Sequence, residues 1–213
     1  VSSDVLVTTP AQRQTEPHAE AVSRNRRQQA TFRKVLAAAM ATLREKSYAD
    51  LTVRLVAARA KVAPATAYTY FSSKNHLIAE VYLDLVRQVP CVTDVNVPMP
   101  IRVTSSLRHL ALVVADEPEI GAACTAALLD GGADPAVRAV RDRIGAEIHR
   151  RITSAIGPGA DPGTVFALEM AFFGALVQAG SGTFTYHEIA DRLGYVVGLI
   201  LAGANEPSTG GSE

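Results

Sequence analysis

An all-α protein is predicted from three features of this chain: apolar residues recurring at helical spacing, cap residues ahead of those runs, and no alternating pattern of the kind a half-buried strand needs. Its 213 residues are 48% hydrophobic, enough to bury a substantial core. The pattern divides the chain into a disordered arm over 1–22, a three-helix helix-turn-helix unit over 23–73, a larger helical body over 74–204 and a disordered tail over 205–213.

The arm is rich in Gln, Thr, Ser and Pro and lacks apolar periodicity. Beyond it Phe32, Val35, Leu36, Ala39, Met40 and Leu43 recur at i, i+3, i+4, i+7, i+8 and i+11, the stripe of an amphipathic first helix. Thr52 is placed to cap a short second helix from Val53 to about Arg59. After a turn at Ala60 to Ala63, Pro64 suits the first position of a third helix, which runs to Tyr70 or Phe71. Ser73 caps a fourth helix that Pro90 ends, with Leu77, Ile78, Val81, Tyr82, Leu85, Val86 and Val89 as its apolar positions. The body continues as helices from about Ile101 to Ala115, Glu117 to Leu129, Pro135 to Ile156 behind the cap Asp134, Pro162 to Ala179 behind Asp161, and Glu188 to Ala204. Thr185 and Glu188 have the spacing of a capping box.

Charge is distributed unevenly. The chain is neutral in sum, yet residues 24–74 carry +9, the remainder from Asn75 carries −7 and the first 23 residues −2. A basic segment of that length joined to a weakly acidic body is the electrostatic outline of a nucleic-acid-binding module with a separate regulatory part. Its chemistry fits. Two short helices with a third bracing them present the second of the pair to a major groove. Pro64 and Ala65 let the backbone approach, Thr66 and Thr69 suit base edges, and the hydroxyls of Tyr68 and Tyr70 suit phosphate. Lys74, at the start of the fourth helix, suits phosphate as well, and Thr52 at the start of the second helix and Arg27 at the basic edge of the arm are further candidate DNA contacts. Phe71 is expected in the small core.

The stretch from Ala60 to Lys74 resembles the TetR family of bacterial transcriptional regulators, whose pattern is an Ala-Gly-Val-Ser-like turn, a Leu-Tyr-x-Tyr/His-Phe run and then Ser-Lys. Here Ala60-Lys61-Val62-Ala63, Ala67-Tyr68-Thr69-Tyr70-Phe71 and Ser73-Lys74 hold those places, and the resemblance covers about Arg27 to Val89. Three residues depart from it. Lys61 stands at the usual glycine and is expected in a left-handed conformation, Ala63 replaces a Ser or Thr cap, and Ala67 replaces a larger residue.

The resemblance implies a homodimer on a palindromic operator in double-stranded DNA, with a larger helical ligand-binding and dimerisation domain behind the helix-turn-helix. It implies phosphate contacts from Tyr68, Tyr70 and Lys74, and base readout near Thr66 and Thr69. It further implies a repressor released by a small hydrophobic effector, the alternatives being a regulator without an effector or a helical enzyme. Candidate pocket residues are His109, Val113, Cys124, Leu128, Ile144, Ile148, Phe166, Met170 and Phe173, mostly apolar. For the dimer interface the last two helices offer Phe172, Leu176, Leu193, Val196, Val197, Ile200 and Leu201, with Gly194 and Gly198 permitting close approach.

No HExxH, GxSxG, P-loop or dinucleotide fingerprint occurs, so no enzyme is expected. Cys91 and Cys124 belong to no metal-binding cluster and read as thiols in a reducing cytoplasm, so neither metal nor cofactor is implied. The longest uninterrupted apolar run, Tyr195 to Ala204, is about half of what a membrane span needs, and no membrane partner is expected.

Overall fold

The computed structural model describes residues 16–92 and 94–204, all helices, turns and loops. The expected tail and the first part of the expected arm lie outside the described residues. The rest of that arm differs from expectation: helix α1 spans Glu16–Leu43, so it starts well before its apolar stripe. Residues 16–24 supply no apolar stripe to signal a helix, which is why periodicity missed it.

Helices α2 (Val53–Arg59) and α3 (Pro64–Tyr70) follow, then α4 (Lys74–Gln88). The body adds α5 (Met99–Ala111), α6 (Pro118–Asp130), α7 (Pro135–Ile156), α8 (Pro162–Gly180) and α9 (Tyr186–Ala204). Single 3₁₀ turns extend α5 and α6. The caps read from sequence are formed: Thr52 accepts from the Leu55 N–H at 3.1 Å, Ser73 from His76 at 3.0 Å, Asp134 from Ala136 at 2.9 Å and Asp161 from Thr164 at 2.7 Å. The Thr185 and Glu188 pair is reciprocal, each side chain accepting from the other's N–H, and it lets α9 begin at Tyr186.

Val35, Leu36, Ala39 and Leu43 of α1 bury against Val53, Val56 and Ala57 of α2, with Ala67 and Phe71 closing the small core. Phe71 stacks on Phe32, ring centroids 5.0 Å apart. The core continues without a break along α4, whose Leu77, Ile78, Val81, Leu83 and Val86 are buried. This helix packs on α1, α6 and α7, so it belongs to both parts of the molecule. Three contacts tie the parts together. Arg44 at the end of α1 pairs with Glu117 before α6, Ser73 donates to Asp134 at 2.8 Å, and Glu80 on α4 binds Arg143 on α7.

Two arginines close helix ends inside the body. Arg151 of α7 is buried and donates to the carbonyls of Val86, Arg87 and Pro90 at and just past the C-terminus of α4. Arg102 does the same for Ala155 and Ile156 at the end of α7, at 2.8 and 3.0 Å.

Helix α8 corrects the expectation about membrane-length segments. It is 19 residues long and an 18-residue stretch of it has a mean hydropathy of 1.4, long and apolar enough to cross a membrane, although Glu169 and Gln178 interrupt the apolar run and hid it from a run-length criterion. In the fold α8 packs against α6, α7 and α9, and Glu169 pairs with His149 of α7 at 2.8 Å.

Candidate nucleic-acid interface and body cavity

The turn between α2 and α3 sets the pose of the recognition helix. Lys61 has φ 53°, the left-handed conformation expected of the residue at the glycine place. Its N–H donates to Ala58 and the N–H of Val62 to Ala57, at 3.1 and 2.9 Å, the two bonds of a Schellman close. Helix α3 then starts at Pro64 behind Ala63, which supplies no side-chain cap.

On α3 the residues Pro64, Ala65, Thr66, Tyr68 and Thr69 are exposed while Ala67 is fully buried, so the helix turns one narrow seam inward and the remainder outward. Small size at Ala67 is what that seam requires. The Tyr68 ring is 52% exposed, whereas Tyr70 is half-buried edge-on against Phe32 with centroids 6.1 Å apart. Thr69 donates its hydroxyl to the Ala65 carbonyl at 3.0 Å, which leaves the oxygen free to accept and the methyl to make apolar contact. Thr52 and Arg27 are exposed.

Lys74 departs from its expected role. Its ammonium donates to the carbonyls of Tyr48 and Ala49 at 3.0 and 3.4 Å and lies 4.4 Å from the centre of the Tyr48 ring. The group clamps the connection between α1 and α2 onto the start of α4, because the flexible lysine stem carries its ammonium to two carbonyls and a ring face brought beside it by the fold. Arg44 and Arg59 are also engaged within the fold, with Glu117 and Glu45. Among the described residues, Arg26, Arg27, Arg33, Lys34, Lys46, Arg54 and Lys61 are exposed and enter no ion pair, and these carry the free positive charge of the module. Arg33 and Arg54 were absent from the candidate contacts, although the charge tally that marked the segment already contained them.

Behind this module the body holds a partly open cavity of about 310 Å³. Of the expected pocket residues, Cys124, Leu128, Ile144 and Phe173 line it, and so does Leu176, which had been assigned to the interface. Tyr82, Thr125, Arg141 and Tyr186 also line it and were missed. Burial pushes the Cys124 thiol up to about 12, so it is an inert wall group. The other expected pocket residues lie elsewhere. Ile148 is buried core, Val113 is half-buried outside the cavity, and His109, Phe166 and Met170 are exposed.

The interface expectation shifts in register. Phe172, Leu193, Val197 and Leu201 are buried within the subunit, so they hold α8 and α9 to the rest of the body, and Val196 and Ile200 are only half-exposed beside them. The open apolar face consists instead of Phe166, Met170, Phe173 and Val177 on α8 with Tyr195 and Leu199 on α9. On both helices hydrophobic residues occupy nearly the whole circumference, so periodicity alone does not say which stripe faces inward. Gly174 and Gly198 carry no neighbouring atom within 4 Å of where a Cβ would stand.

Residues 35–81 match the family model described as bacterial regulatory proteins, tetR family. The matched stretch runs from the α1 stripe through the turn and α3 into α4. This chain carries a TetR-family DNA-binding module. The whole fold is similar to a TetR transcriptional regulator from Rhodococcus sp. RHA1, 21% identical, with a TM-score of 0.69 over 84% of this chain and 98% of that one. It is also similar to Thermus thermophilus FadR, a TetR-family repressor solved with lauroyl-CoA, 19% identical, with a TM-score of 0.60 over 85% and 100% of the two chains. FadR from Bacillus subtilis, solved with stearoyl-CoA, is 14% identical with a TM-score of 0.55 over 81% and 98%.

Within the TetR-family module, Lys61 and Ala63 depart from the pattern at the cost of a strained backbone and an absent cap, and both departures sit in the turn rather than on the exposed face of α3. Ala67 departs in the core. The outward residues Thr66, Tyr68 and Thr69 are therefore presented by the usual helix-turn-helix geometry.

Proposed function

We propose that this chain is a ligand-responsive repressor that acts as a homodimer on a palindromic operator in the cytoplasm and is released by a small hydrophobic effector. The observation that carries the reading is one helix, α4, which opens beside the recognition helix and, through Tyr82, forms part of the cavity wall. An effector in the cavity and DNA on α3 thus act on the same rigid element, so each biases the position that the other prefers.

A homodimer would cover the open face of α8 and α9 and set two recognition helices about 34 Å apart, one helical turn of DNA. The mostly apolar cavity wall supports a hydrophobic effector, and the acyl chains held by the two FadR neighbours support it as well.

Fluorescence anisotropy with duplexes selected from random sequence tests the reading. A palindromic site should emerge and bind at least about a thousandfold more tightly than shuffled DNA at physiological salt. Equal affinity for both would refute sequence-specific regulation. Light scattering should find a dimer that Leu199→Asp dissociates, and a monomeric parent would refute the dimer.

A further inference from the structure

The cavity wall is mostly apolar, its polar members including Tyr82, Thr125, Arg141 and Tyr186. Tyr82 on α4 and Arg141 on α7 both belong to it, and the Tyr82 hydroxyl and the Arg141 Nε are buried with no hydrogen-bond partner. Arg141 holds one hydrogen bond, from its Nη2 to the Gly132 carbonyl at 3.5 Å, the long limit for such a bond. No carboxylate among the described residues lies within ion-pair distance of its guanidinium. Burial pushes the Tyr82 phenol well above its ordinary range, so it keeps its proton and remains a donor. Two buried donor atoms and a guanidinium that enters no ion pair among the described residues therefore line one mostly apolar chamber. A buried donor left without an acceptor is costly, and folds retain such groups where something else supplies the acceptor.

Size narrows what that can be. An apolar cavity of about 150 Å³ takes a benzene ring. The chamber here is about 310 Å³, room for an apolar body on the order of a dozen heavy atoms. A nucleotide-bearing thioester head does not fit inside it.

Resting on the effector reading above, we infer that the effector is a compact amphipathic carboxylate, its anionic head seated on Arg141 and Tyr82 and its apolar body among Leu128, Ile144, Phe173 and Leu176. A carboxylate supplies acceptor oxygens to both donors and neutralises the guanidinium, the pairing for which arginine geometry is suited. Binding there draws on α4 and α7 together. Those are the helices whose N-termini are joined through Ser73 and Asp134 next to the recognition helix.

Calorimetric titration of the full chain with octanoate and phenylbutanoate, each beside its matching alcohol, and with lauroyl-CoA tests the inference. The acids should bind at least about tenfold more tightly than the alcohols. Arg141→Met should abolish that preference, Arg141→Lys should restore part of it, and the nearly isosteric Tyr82→Phe should reduce acid affinity severalfold while leaving the melting transition cooperative. Acids that fail to bind, alcohols that bind equally, an undiminished preference in Arg141→Met, or lauroyl-CoA binding above octanoate would each overturn the carboxylate assignment. Operator anisotropy in the same samples separates the two proposals. Alcohols or lauroyl-CoA that release DNA would keep the effector reading and remove the carboxylate. Acids that bind without altering DNA affinity would keep the site and remove the effector role.

Discussion

Replacing Lys61 by glycine should stabilise the protein. Lys61 occupies the left-handed region at φ 53° and closes α2 with two backbone hydrogen bonds that glycine would keep. Holding a residue with a Cβ there costs about 1–2 kcal/mol, and glycine avoids this but loses about 0.5–1 kcal/mol more backbone entropy on folding. The balance favours Lys61→Gly by about 0.5–1 kcal/mol. In a chain of 213 residues this corresponds to a rise in melting temperature of about 1–4 °C. Lys61→Ala is the control, since it removes the same charge and keeps the Cβ. Thermal unfolding by circular dichroism at one fixed protein concentration should rank glycine above both alanine and lysine. A glycine variant no more stable than alanine would refute the strain argument.

Ala63→Ser should add about 1 kcal/mol by giving α3 the cap it lacks, read as a higher urea midpoint at unchanged slope. Lys74→Ala should lower stability by about 1–2 kcal/mol through its lost carbonyl contacts while leaving the salt dependence of DNA binding nearly intact, whereas Arg54→Ala should flatten log K against log salt by about one unit. Burial opposes the charge on Glu80, but hydrogen bonds from His76 and Arg143 outweigh it and hold the carboxylate below its ordinary value of 4.5. Its native value is thus below its unfolded one. Its contribution is complete above about pH 4.5 and is lost as pH falls through the native value, so Glu80→Gln should flatten the acid limb of a stability profile.

Much of this architecture is legible in the sequence because caps and stripes are local. Thr52, Ser73, Asp134, Asp161 and Thr185 each mark a helix start within a few residues of where it forms, and Lys61 declares its backbone by occupying a glycine place. What escaped depends on contacts distant in the chain. Lys74 reads as a free cation until the Tyr48 and Ala49 carbonyls are brought beneath it, 26 and 25 residues away. Arg151 and Arg102 look like surface charge, and only the packing of α4, α5 and α7 reveals that they close helix ends. The one-position error between Phe172 and Phe173 has the same origin: on α8 both are apolar, and the neighbouring helices alone decide which is core.

That dependence on distant contacts also explains how the module and the body can communicate. Ser73 accepts from the His76 N–H while donating to Asp134, whose other oxygen accepts from Ala136, so a single hydroxyl joins the first turns of α4 and α7. Further along, Glu80 and Arg143 bind the same two helices, and Tyr82 and Arg141, each two residues from that pair along its helix, line one chamber. A ligand that draws Tyr82 and Arg141 together must therefore move α4 against α7 along a seam fastened at two other points. Because such packed seams slide as units rather than deform atom by atom, the proposed ligand would deliver that displacement to Ser73 and hence to Phe71, two residues before it, and to α3.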